Sequence, residues 1–141
     1  MKVYLYKKEY WEYTETLGVY SEAGMLREKQ RLLEEATKQR AEEISKREFE
    51  IDQIKQERRE LCLKDQNVNI PILQALKVSG DREALKTFKK ERKALLREIE
   101  QKTRQIWHLE FENHLLEKLE GDSLITQYFS KLYFDEQYVL D

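Results

Sequence analysis

From Asp81 to Glu120 apolar residues return in alternating steps of three and four. Starting at Leu85, the steps land on Phe88, Arg92, Leu95, Ile99, Lys102, Ile106, Leu109, Asn113, Leu116 and Glu120. Seven of these eleven positions are apolar, a 3.5-residue period held over about five heptads, as in a coiled-coil seam. The pattern predicts one long helix over 81–120, roughly 60 Å long at about 1.5 Å per residue. A seam of Leu and Ile needs a partner helix. The same stepping from Leu26 gives Leu33, Ile44, Ile51, Ile54 and Leu61, with Gln30, Thr37, Arg40, Arg47 and Arg58 between them. It predicts a second long helix over 21–64, started by Ser21 as N-cap and carrying a poorer seam.

The remaining stretches read as shorter elements. Residues 65–80 form a connection between the two helices. Within it Asn69-Ile70-Pro71 opens a short helix and Gly80 closes it. Asp81 then caps the next helix. Residues 1–20 form an aromatic N-terminal segment. Its Val3-Tyr4-Leu5-Tyr6 start allows a short extended piece, and Tyr10, Tyr13 and Leu17 have helical spacing up to Gly18. Over 123–138 the recurrence of Leu124, Ile125, Tyr128, Phe129, Leu132 and Tyr133 predicts a C-terminal amphipathic helix.

The fold class expected from these elements is all-α. Two long helices form an antiparallel hairpin, a coiled-coil stalk with a short helix at its tip. Both terminal segments build an aromatic-rich helical base, in a single domain of 141 residues. Pairing about the middle of the connection sets Ile54 beside Arg92, Arg47 beside Ile99 and Ile44 beside Lys102. Such a seam is thin, held in part by the long apolar stems of Arg and Lys. A second copy or another partner is therefore expected to complete it. Asn113 sits on the seam, where a buried amide can set register.

Composition agrees with long helices: 38% of residues are charged, and there are four Gly and one Pro. The single Cys62 excludes an internal disulfide and suits a reducing compartment, so a cytoplasmic or nuclear location is expected. No run reaches the roughly 18 apolar residues of a membrane span. Net charge is only −2, but it is unevenly spread. Residues 55–97 hold twelve Lys or Arg against six Asp or Glu; the rest hold fourteen against twenty-two. Arg82, Lys86, Lys89, Lys90, Lys93 and Arg97, with Arg92 among them, are the densest part of the basic half. They read either as a patch for an anionic partner or as a solvated face laced with ion pairs, such as Glu28 with Arg31 and Arg97 with Glu100.

All eight tyrosines lie in 1–20 or 128–138. Trp107, Phe111, Leu115 and Leu119 step by four along a second face of the 81–120 helix, off the seam. With Tyr128, Phe129 and Tyr133 they form either the inner packing of the base or an exposed surface for a partner helix; the first reading weighs more.

Catalytic motifs are absent from the sequence: no phosphate-binding glycine loop, no Cys-x-x-Cys and no His-Glu-x-x-His. His108 with Glu112, and Glu110 with His114, have metal-pair spacing on a helix, but two ligands do not close a site. No enzyme activity, metal, cofactor or small-molecule substrate is expected. The function expected is a non-enzymatic coiled-coil scaffold or adaptor binding protein partners or a second copy of itself. The alternatives are a protein binding the phosphate backbone of nucleic acid through the basic tip, and a stalk-like component of a secretion or cytoskeletal assembly.

Overall fold

The computed structural model describes residues 1–139. The element order is β1 (Lys2–Glu9), β2 (Thr14–Tyr20), α1 (Glu22–Lys64), a π-helical segment (Asp65–Asn69), α2 (Ile70–Ser79), α3 (Arg82–Glu117), α4 (Asp122–Tyr128) and β3 (Leu132–Tyr138). The chain divides into two compact units. One holds Met1–Ile44 and the chain from Leu115 on; the other is Ser45–His114.

The first unit overturns the all-α expectation. It contains an antiparallel sheet of order β2-β1-β3, and neither terminal segment is the helix that its spacing suggests. A hairpin of the two long helices is likewise not established as the fold. In β1, Tyr4 and Tyr6 are buried while Val3, Leu5 and Lys7 take the opposite face. The helical spacing of Tyr10, Tyr13 and Leu17 is accidental, because it straddles a turn. The Tyr10 N–H donates to the Tyr13 carbonyl across Trp11 and Glu12, and the two tyrosine rings stack at 4.7 Å. The register shifts between Tyr6 and Lys7, where Gly18 sits opposite Tyr6. A Cβ at Gly18 would lie 3.0 Å from the Tyr20 ring, so a side chain there would have to displace that ring slightly.

The C-terminal stripe is broken in the same way. Tyr128 ends α4, and the Leu132 N–H bonds the Phe129 carbonyl as the chain turns into β3. Leu132 to Tyr138 then pair with Lys8 to Lys2. Tyr, Phe and Val suit a pleated, half-buried surface, and cross-strand packing outweighs the weak helical signal.

The tyrosine face of the sheet holds the core of this unit. Tyr6 stacks on Phe134 at 4.7 Å, and Tyr20 meets both edge-on. Around them Met25, Leu32, Ala36, Leu116 and Leu124 are buried. Burial raises the pKa of Tyr6, against the opposing effect of the nearby Arg31. The Ser21 Oγ accepts the Gly24 N–H at 3.2 Å, capping α1. The Arg40 guanidinium donates to the carbonyls of Leu116 (3.3 Å) and Leu119 (2.8 Å), which satisfies the otherwise free end of α3.

In the 45–114 unit the helix does not break at residues 65–69 but widens. Pro71 cannot donate to the carbonyl four residues back, and its ring crowds that carbonyl. The π-helical turn at Asp65–Asn69 absorbs this, and helical backbone runs on into α2. The chain turns at Gly80 (φ 74°), and the Asp81 carboxylate accepts the Ala84 N–H at 3.1 Å. The reversal at Gly80, rather than mid-connection, resets the expected pairing. Arg92, expected beside Ile54, instead makes a two-pronged pair with Asp65, both bonds 2.8 Å. Lys102 pairs with Glu57 at 2.8 Å rather than lying beside Ile44. Arg58 donates to the Thr103 hydroxyl at 3.2 Å, and Arg47 and Lys55 pair with Glu112 and Glu110 at 3.1 and 3.4 Å.

The apolar core of this unit is small: Ile51, Leu73 and Ile106 are its buried apolar residues. Asn113 is buried among them in the count, at 7% exposure, and its Oδ1 has no hydrogen-bond partner among the described residues. An unpaired buried carbonyl costs free energy that an apolar side chain of the same size does not. Asn113→Leu is therefore expected to stabilise the protein by at least about 1 kcal/mol. Urea unfolding checks this, and a lower midpoint for the variant would show that the amide has a necessary role.

Candidate functional site

The expected site residues fall into three groups. The first is a basic face of α3. Arg82, Lys86, Lys89, Lys90, Lys93 and Arg97 are all exposed. At about 100° per residue they share one arc of the helix about 100° wide. The first five, with Leu85, line a hollow of about 470 Å³. None of the six forms an ion pair among the described residues. The expected Arg97–Glu100 pair is not formed, since Glu100 takes Arg104 at 2.7 Å. Glu28 and Arg31 do pair, at 2.5 Å. The neighbouring Arg92 points elsewhere, into its pair with Asp65.

The second group is the off-seam row of α3. Its expected role as inner packing does not appear. Trp107 is 66% exposed and Phe111 58%. Leu115, one turn on, is also exposed, and Leu119 is half-buried. Large aromatics left in water on a helix this charged carry an unmet hydrophobic free energy, at ~25 cal/mol per Å² of apolar surface. Spacing alone did not decide between packing and exposure, because both produce the same row.

The third group is not one surface. Tyr128 and Phe129 are half-buried at the end of α4, and the Tyr128 hydroxyl donates to the Glu43 carboxylate. They border a hollow of about 320 Å³ with Lys8, Lys131 and Leu132. Tyr133 is exposed on β3, opposite Lys7, so it stands on the outer face of the sheet. That face also carries Val19, which is exposed opposite Leu5. The sequence reading missed it because it depends on strand pairing.

His108 contacts Glu112 at 2.8 Å, and Glu112 also holds Arg47. Among the described residues no group of three or more His, Cys, Asp or Glu side chains is placed to hold a metal ion. Cys62 is exposed. No described helix is long and apolar enough to cross a membrane. No family model, no curated protein and no solved structure matches the chain.

Proposed function

We propose that the chain is an interaction protein, a scaffold or adaptor, and that it engages an apolar face of a protein partner through Trp107 and Phe111 of α3. The observation that carries this reading is the exposure of these two rings, one turn apart on the same helix face. Exposed aromatics that become buried on association dominate the energetics of many interfaces, at about 2 kcal/mol or more per anchor. The charged residues around the pair, Arg104, His108 and Glu110, suit the polar rim of such a contact.

The test is affinity capture from native lysate with the wild-type chain and with Trp107→Asp/Phe111→Asp. Both side chains are exposed, so the variant is expected to keep the wild-type melting temperature. It is expected to lose its specific partners, by at least about thirty-fold for one strong anchor. If the folded double variant retains every partner, this face is not the binding surface.

A further inference from the structure

We propose that the basic face of α3 is a second binding site, for the phosphate backbone of a nucleic acid, read without base specificity. It goes beyond the Trp107–Phe111 surface and does not depend on it.

Charge is left unbalanced on α3. Inside the 45–114 unit, four cations pair with a carboxylate of another element: Arg92 with Asp65, Lys102 with Glu57, Lys55 with Glu110 and Arg47 with Glu112. Arg82, Lys86, Lys89, Lys90, Lys93 and Arg97 form no such pair among the described residues. On the same helix Glu91 and Glu98 fall well outside their arc at about 100° per residue, Glu83 borders it, and Glu100, past the end of the row, is taken by Arg104. From Arg82 to Arg97 the row runs roughly 22 Å at ~1.5 Å per residue. It therefore presents one sign of charge in a line, one cation or more per helical turn. Its hollow is lined by Leu85 and five of the cations.

Complementarity narrows the occupant. A protein partner ordinarily supplies an apolar core to its interface, and this row offers little beyond Leu85 to meet one. A bilayer surface binds helices that add a continuous apolar face to their basic one. Within 82–97 the arc holds the six cations and no apolar residue, and Leu96 at its border stands alone, so the row adds no such face. No aromatic stands in the row to stack on a base. What remains is a linear polyanion whose binding is charge alone. A nucleic-acid backbone fits, because each neutralised phosphate releases condensed counterions.

The test uses the full chain and fluorescence anisotropy with labelled mixed-sequence duplex DNA of about twenty base pairs, titrated between about 50 and 200 mM salt. Six contacts predict a log–log salt slope near −5, at about −0.9 per phosphate. A second unrelated sequence is expected to bind within about twofold, as sequence-blind phosphate contact requires. Lys86→Gln/Lys89→Gln/Lys93→Gln is expected to weaken binding at least about tenfold and to make the slope shallower by about 2.7. The single Lys89→Gln, shallower by about 0.9, serves if the triple variant loses helix by circular dichroism. The charge-neutral Trp107→Ser/Phe111→Ser is expected to leave DNA binding within about twofold, which separates this site from the protein-binding surface. The inference is overturned by no saturable binding at the lowest salt, or by affinity indifferent to the lysine changes. It is equally overturned if phosphatidylserine vesicles or polyglutamate bind more tightly than the DNA, since the occupant is then a membrane or an acidic protein.

Discussion

Tyr6→Ala is expected to cost about 3–5 kcal/mol, the range for removing a large buried aromatic. Tyr6 is 6% exposed, stacks on Phe134 and meets Tyr20 edge-on. Its loss leaves a cavity where three strands converge on one ring cluster. Urea unfolding followed by near-ultraviolet circular dichroism reports this cluster directly. Tyr6→Phe keeps the ring and loses only the hydroxyl that Arg31 contacts, so a cost no greater than about 1 kcal/mol is expected. Equal losses for the two variants would move the stabilisation from ring packing to the Arg31 contact and refute the packing account.

Arg92→Met is expected to cost about 1.5–3 kcal/mol near neutral pH, the scale of a hydrogen bond to a charged group. Asp65 receives two bonds from this guanidinium and one from Asn69, at 3.2 Å. The Arg92 bonds, then Asn69, hold the Asp65 carboxyl below its ordinary range against the opposing effect of burial. A carboxyl depressed in the folded state stabilises the protein above its unfolded value, about 3.9. That contribution is lost as pH falls from there through the lower folded value. The wild type should therefore lose stability across that acid window. Arg92→Met should lose less over the same window, because part of the contribution is already gone. Parallel curves for the two proteins, measured by urea unfolding at several pH values, would show that the pair has no part in acid sensitivity.

The helical elements were legible because their signals are local. Ser21, Gly80 and Asp81 mark helix ends by backbone chemistry that acts within four residues, and the heptad stepping runs along one helix. The sheet was not legible for the opposite reason. Lys7 and Asp135 lie 128 positions apart, and nothing near either residue announces the other. The alternation of Val3 and Leu5 with Tyr4 and Tyr6 was visible. It was diluted by Tyr10, Tyr13 and Leu17, whose spacing across a turn imitates a helix. The basic row was legible residue by residue, since it belongs to one helix face. That it goes unpaired was not, because pairing depends on which acids the fold brings near. Likewise Trp107 and Phe111 were found as a row, but their exposure needed the surroundings of α3.

The sheet's strand order has a kinetic meaning. β1, made before the other two strands, is the central one, and one of its two edges is taken by β3, from residues 132–138. During synthesis β1 and β2 can pair early, but the other edge of β1 stays open until residues 132–138 have left the ribosome. The 45–114 unit is continuous and free to fold in that interval. The open edge carries Tyr4, Leu5 and Tyr6, a short segment of high strand preference that would pair with any other free strand. Closing the β1–β3 edge across so long a loop carries a larger chain-entropy cost than any pairing within the 45–114 unit. At high expression the nascent chain is at greatest risk of self-association just before β3 arrives.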